Sequence, residues 1–316
     1  MSVSPKAIAI TPNPAVDVTY VIDDLRTGEV NRVRDVQFRP GGKGLNVAGV
    51  LAQLGHRVLA TGFLGGAGGS RMRELLTDAP FEHRWTGIGG ETRSTVAVFD
   101  GDEVTMLNEP GPAVSGTEWA ELTAAVAASA EPGDVVAISG SIPGGTAENE
   151  VLALLSAARE AGSRTVLDTS GPLLAAAAPL CDVVKPNREE LLAATGASTV
   201  ADGASMLLAR GARAVFVSAG PKGMDLYLGS PDGPEAWHAS PAEVVAGNPT
   251  GAGDAALAAL VAHLLGPSAD ELSLALPTAV ALSAAAVLVP VAGRVDLDAY
   301  NRFLPDTRLE RTRAAR

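Results

Sequence analysis

Apolar residues along this chain fall into short unbroken runs separated by longer periodic stretches. "KAIAIT" (6–11) comes first, followed by "VLATGF" (58–63), "DVVAISG" (134–140), "RTVLDTS" (164–170), "DVVKPN" (182–187) and "AVFVSAG" (214–220). Each run is rich in valine, isoleucine and alanine at successive positions and stops at small or polar residues. That is the pattern of a strand covered on both faces, as in a parallel sheet. The intervening stretches "GLNVAGVLAQLG" (44–55), "ENEVLALLSAAREAG" (148–162) and "REELLAATG" (188–196) read as helices. Gly55, Gly162 and Gly196 stand where glycine ends a helix. Alternation of this kind predicts a doubly wound α/β fold, a mostly parallel sheet flanked by helices, with ligands at the carboxyl ends of the strands.

Two stretches break the rhythm. Residues 17–38 alternate loosely around a turn at Thr27-Gly28, and residues 94–108 read as a hairpin turning at Asp100-Gly101. These insertions, about 15–39 and 93–109, predict four antiparallel strands forming a small sheet that serves as a lid over the strand ends. With no linker and no internal repeat, the whole chain of 316 residues is expected to be one domain carrying that lid.

Composition narrows the functional classes. Hydrophobic residues make up 47% and charged residues 19%, a globular balance. A net charge of −12 argues against a nucleic-acid-binding surface, while leaving room for a local basic pocket that takes an anionic substrate. The single cysteine, Cys181, cannot form an intramolecular disulfide and fits a reducing cytoplasm. His56, His83, His238 and His263 are dispersed and show no metal-ligand spacing. Residues 274–293 carry no charge over a membrane-spanning length, but alanine dominates them and Pro277 and Pro290 interrupt them. A buried helix is expected there, so no membrane association is. Pro12 and Pro14 arrive too early for the apolar core of a signal peptide.

The candidate chemistry centres on "GNPTGAGDAALAAL" (247–260). Gly251, Ala252 and Gly253 precede a helix whose first backbone N–H groups are unpaired and carry the positive end of its dipole, an anion cradle. The bland alternative is an ordinary turn with Asp254 as a capping residue. A dinucleotide fingerprint also matches, as G-x-G-x-x-A over residues 251–256. Its place near the C-terminus, with Asp254 beside a pyrophosphate, counts against hydride transfer. Nor is "GGKG" (41–44) a P-loop, because no Ser or Thr follows the lysine. A carboxylate at an anion-binding helix start makes sense as a general base, taking the proton of a hydroxyl that attacks a phosphoryl group.

With that loop, five further motifs stand in order: "TPNPAVD" (11–17), "PGGKGLNVAGVLAQLG" (40–55), "ISGSIP" (138–143), "LDTSG" (167–171) and "KPNREEL" (185–191). Together they resemble the ribokinase-like, PfkB-type carbohydrate kinases over nearly the whole chain. Lys43, "TGEVNR" (27–32) and "LNEPGP" (107–112) look most like the branch of 1-phosphofructokinase and tagatose-6-phosphate kinase. The resemblance implies Asp254 as catalytic base and the amides of Gly251, Ala252 and Gly253 as the anion hole. It implies Asp17, Gly41, Gly42, Asn46 and Ser141 as contacts to the sugar. Arg93 would hold the substrate's existing phosphate, with Lys43 as its partner. Lys185, Asn187, Ser218, Gly220 and Gly223 would hold ATP, and Glu190 would organise Mg²⁺ through water. By the same resemblance, "SAAAVLVPVAGRVD" (283–296) falls near the adenine and the loops that would hold a monovalent cation.

The resulting expectation is an ATP- and Mg²⁺-dependent kinase acting on a ketohexose phosphate: fructose 1-phosphate, fructose 6-phosphate or tagatose 6-phosphate. A kinase of an unphosphorylated sugar or nucleoside, or a non-catalytic sugar-phosphate sensor, would use the same fold. The resemblance also implies a homodimer through the lid, which would cover the edges of its strands.

Overall fold

The computed structural model describes residues 4–101, 103–229 and 234–312; both chain ends and residue 102, in the expected hairpin turn, lie outside the described residues. The chain opens on β1 (Ala7–Thr11), then makes β2 (Ala15–Val21) and β3 (Asp35–Gly41) before α1 (Lys43–Gln53). β4 (Val58–Leu64) and α2 (Gly66–Leu75) lead to two short strands, β5 (Glu82–His83) and β6 (Thr86–Gly87). β7 (Arg93–Phe99) and β8 (Val104–Asn108) form the expected second hairpin. α3 (Gly116–Ser129), β9 (Val135–Ser139), α4 (Glu148–Glu160), β10 (Arg164–Asp168) and α5 (Pro172–Ala177) then alternate. β11 (Val183–Val184), α6 (Arg188–Thr195), α7 (Val200–Ala209) and β12 (Ala214–Ser218) continue the pattern. The last elements are β13 (Met224–Leu228), β14 (Glu235–Ser240), α8 (Ala252–Leu265), α9 (Ala275–Val287), α10 (Leu297–Phe303) and β15 (Arg308–Thr312).

Every strand predicted from an unbroken apolar run lies in one large sheet, in the order β15-β14-β13-β12-β11-β10-β9-β1-β4-β5, with β6 beside β4. Pairing is parallel from β12 through β4 and antiparallel among β12, β13, β14 and β15. The antiparallel edge is not announced by apolar runs, because "EAWHAS" alternates and "RLERT" is largely charged. β1 sends the chain to β4 on one side, and later to β9 on the other. The strand order therefore reverses between β1 and β9, and a crevice opens at their carboxyl ends.

Successive strand residues feed opposite faces of the sheet. Ala7, Ala9, Val135 and Ala137 join the core packed by α1, α8 and α9, while Ile8, Ile10, Val136 and Ile138 join the core packed by α3, α4 and α5. Alanine on the first face lets the alanine-rich α8 and α9 come close to the sheet. α9 occupies most of the uncharged segment flagged in the sequence, and eight of its residues, Ala275 to Ala286, are buried in the protein core. Among the described residues, no single helix is long and apolar enough to cross a membrane.

The two insertions do pair with each other, in the order β3-β2-β7-β8. Each hairpin is antiparallel, but the central β2–β7 pairing is parallel, from Ala15 opposite Arg93 to Val21 opposite Phe99. Local alternation specifies a hairpin; how two distant hairpins join is decided by where both leave the main sheet. β2 and β7 each leave from strand ends on the same side of the crevice, so they run in the same direction.

Candidate active site

α8 begins at Gly251, whose φ of 86° is a left-handed backbone that a glycine adopts without strain. A Cβ there would also stand 2.9 Å from Ala292. Of the three amides expected to form an anion cradle, that of Ala252 is already used, donating to the carbonyl of Pro249 at 3.1 Å. The turn entering the helix takes it. Among the described residues, the amides of Gly251 and Gly253 make no such bond, so the open donors are those two.

Asp254, in the first turn of α8, is buried with 6% of its surface exposed. Burial pushes its carboxyl up to about 6, and Asp168 pushes in the same direction; a hydrogen bond from Asn46 and the ammonium groups of Lys43 and Lys185 pull back. Asn46, on α1, donates Nδ2–H to Asp254 Oδ2 at 2.8 Å. A base with this value is ionised at neutral pH yet holds a proton well enough to accept one.

Facing Asp254 is a pair of lysines divided by one carboxylate. Asp168 ends β10 with 1% exposure; its Oδ2 lies 3.0 Å from the Lys185 ammonium and its Oδ1 3.6 Å from that of Lys43. Lys185 is itself buried, and its Nζ stands 3.9 Å from where a Cβ on Gly253 would be. Burial disfavours the charged form of Lys43, but Asp168, Asp254 and Glu190 outweigh it and raise its pKa. Two cations thus converge on the start of α8.

A second cluster lies at the base of the small sheet. Asp17 accepts a hydrogen bond from the Thr95 hydroxyl across the β2–β7 pairing. Burial raises its carboxyl, against the pull of Thr95 and Arg93. A side chain on Gly41 would collide with the Asp17 carboxylate, and one on Gly42 would meet Thr11 Cγ2 at 2.5 Å, so both glycines keep the floor open. Arg93 opens β7; its Nε and Nη2 donate to the carbonyl of Asn13 and its Nη1 to that of Glu109. Burial lowers its pKa, against Asp17 and Glu109. Asn13 in turn donates to Ser141 Oγ at 3.2 Å and to the carbonyl of Pro110, tying together the ends of β1 and β9 and the segment after β8.

The third part is a cleft of about 410 Å³ on the other side of α8. Ser218, Gly220 and Gly223, expected at the nucleotide, line it along with Ala252 and Gly253. Its wall is apolar, from Val244 and Val245 in the segment before α8 and from Val280 and Val287 on α9. Val287 falls in the stretch 283–296 that the resemblance set near the adenine; Val244, Val245 and Val280 received no site role from the sequence.

Other expected residues have partners within the protein. Lys43, expected to share the substrate's phosphate with Arg93, has Asp168, Asp254 and Glu190 as charge partners, and Arg93 has Asp17 and Glu109. Asn187 and Glu190 are engaged with each other: Asn187 Oδ1 accepts from the Glu190 amide at 2.8 Å and Glu190 Oε2 from the Asn187 amide at 2.9 Å, a capping box at the start of α6. Among the described residues, no three acidic, histidine or cysteine side chains converge as a metal cage. Asp168, Asn13 and Thr95 received no role from the sequence, although Asp168 sits in "LDTSG" and Asn13 in "TPNPAVD". A polar residue closing an apolar strand at its carboxyl end was the available signal; Thr95 offered none.

A doubly wound sheet with a small side sheet and a buried carboxylate at a helix start defines a class, and the sequence falls within it: residues 8–296 match the pfkB family of carbohydrate kinases, and the chain belongs to that family. A 1-phosphofructokinase of Xanthomonas campestris is 36% identical over 272 residues, covering 82% of this chain and 84% of that protein. Among solved structures, phosphofructokinase-2 of Escherichia coli in complex with potassium is 27% identical, with a TM-score of 0.87 over 96% of this chain and 99% of the other. The tetrameric inhibited form of that enzyme, also 27% identical, has a TM-score of 0.83 over 95% and 98%. The protein is a carbohydrate kinase.

Proposed function

We propose that this kinase moves the γ-phosphoryl group of ATP to a hydroxyl of fructose 1-phosphate, giving a ketohexose bisphosphate and ADP. The observation that carries the reaction is Asp254: a buried carboxylate raised to about 6, at the start of α8, with Lys43 and Lys185 close by. The acceptor O–H gives its proton to Asp254 as its oxygen bonds to phosphorus and the bond from phosphorus to the ADP oxygen breaks. The amides of Gly251 and Gly253 and the two ammonium groups stabilise the charge in transit. Asp17 and Ser141 hold the sugar. Arg93 has five N–H donors and spends three on carbonyls, leaving two for the resident phosphate. The apolar cleft suits a purine base, and with the base there the phosphates would reach Ala252 and Gly253 at the start of α8.

Mg²⁺ would neutralise phosphate charge; with no cage among the described residues, its ligands would be phosphate oxygens and water, with Glu190 in the outer shell. Potassium binding in a relative and the contact of the loop after α9 with Gly251 support a monovalent cation site beside that loop. Fructose 1-phosphate is chosen among the acceptors because the relative at 36% identity is a 1-phosphofructokinase. We extend the homodimer to this chain as well. Phe99, Val104 and Met106 share the face of the small sheet that carries Asp17, and each is over a third exposed.

Turnover with ATP on fructose 1-phosphate, fructose 6-phosphate, tagatose 6-phosphate, fructose and adenosine tests the assignment. The highest kcat/KM belongs to fructose 1-phosphate, and Asp254→Asn lowers kcat by about 10³-fold with acceptor binding retained. Preference for an unphosphorylated acceptor would overturn the substrate, and full turnover by Asp254→Asn would overturn the base.

A further inference from the structure

Asp254 is held from outside its own helix. Asn46 reaches it from α1, and the Nδ2–H bond to Oδ2 at 2.8 Å spans 208 residues of sequence. Oδ1 makes no hydrogen bond among the described residues. Asn46 is gripped on its other side by the loop after α9: a Cβ on Gly293 would stand 3.1 Å from Asn46 Cα and 3.2 Å from its Oδ1. The neighbouring Ala292 packs against Gly251, so one loop abuts both the start of α8 and the residue that holds the base.

Resting on the reading of Asp254 as base, we propose that Asn46 is its positioning residue, committing Oδ2 so that Oδ1 is the oxygen that receives the acceptor's proton. A carboxylate free to rotate presents either oxygen at any angle; one oxygen tied to a packed amide presents the other in a fixed direction. The amide also favours the ionised form, as a hydrogen bond to a charged acceptor does. It acts with Lys43 and Lys185 and against burial and Asp168, the charged groups that act on this carboxylate. This is a different task from contacting a sugar hydroxyl, which would show only in acceptor affinity.

The test is the pH profile of kcat, with acceptor KM, for the wild type, Asn46→Ala and Asn46→Asp. Loss of the amide moves the acid limb up by about one pH unit in Asn46→Ala. It moves further in Asn46→Asp, where a second carboxylate faces the first. A shifted limb supports the proposal whatever the acceptor KM does. Limbs that coincide with the wild type while acceptor KM rises tenfold would overturn it, leaving Asn46 a sugar ligand only. If Asn46→Ala does not fold, Asn46→Leu, which keeps the side chain's volume without the N–H or a new charge, decides by the same criterion. Asp254→Asn is measured alongside. Full turnover there removes the base itself, whereas an inactive Asp254→Asn with unmoved Asn46 profiles removes only this inference.

Discussion

Asp254 sits where a carboxylate is costly. With its pKa raised from 3.8 to about 6, the folded protein holds the proton more tightly than the unfolded chain. Below pH 3.8 the group is protonated in both states and costs nothing. As pH rises through the folded pKa, that stability is lost, and above about 6 the penalty is complete. Asp254→Asn should therefore stabilise the protein while abolishing turnover, by up to about 3 kcal/mol at pH 8 and about half of that at pH 5. Urea unfolding at the two pH values measures it. An equal gain at both would mean the carboxylate is not the source. The sequence marked Asp254 and Asp17 because each sits in a short local signature, and Arg93 because its position matches the family's. Thr95 escaped because its partner, Asp17, is 78 residues away and the contact exists only once β2 and β7 pair.

At the scale of elements, helix starts do two jobs that can be separated. α6 and α3 both begin with a capping box, Asn187 with Glu190 and Ser115 with Glu118. Only the first adjoins the charged cluster, since Glu190 acts on Lys43. Asn187→Ala and Ser115→Ala should each lower stability by about 1 kcal/mol in urea unfolding. Only Asn187→Ala should also raise the KM for MgATP, because losing the Asn187 Oδ1 acceptor loosens the first turn of α6, which carries Glu190. A matching rise in Ser115→Ala would make the effect one of general stability. Helices and parallel strands were readable because their periods are local. The antiparallel edge formed by β13, β14 and β15 was not, since β15 reaches β14 after an excursion of some 70 residues through the last helices.

At the scale of the whole molecule, the small sheet carries Asp17 and an apolar stripe on one face. Apolar side chains exposed together on a protruding sheet call for a cover, and a second copy of the same sheet supplies one of matching shape. Met106→Glu should convert a dimer to a monomer in sedimentation and raise acceptor KM more than ATP KM, because the acceptor cluster shares that sheet. A wild type that sediments as a monomer would sink the dimer.

By itself the sequence determined the doubly wound architecture and the carboxylate at the start of α8. It also marked the two hairpins and most of the polar residues at the base of the small sheet. These are properties of period, of turn residues and of short signatures, all local along the chain. Tertiary structure alone decided that Lys43 and Lys185 share Asp168, that Thr95 braces Asp17, and that Asn46 holds Asp254. It also decided that Val244, Val245 and Val280 join Val287 in lining one cleft. Burial and charge pairing act through space; their partners here come from strands and helices tens to hundreds of residues apart, and no local pattern records which of them will meet.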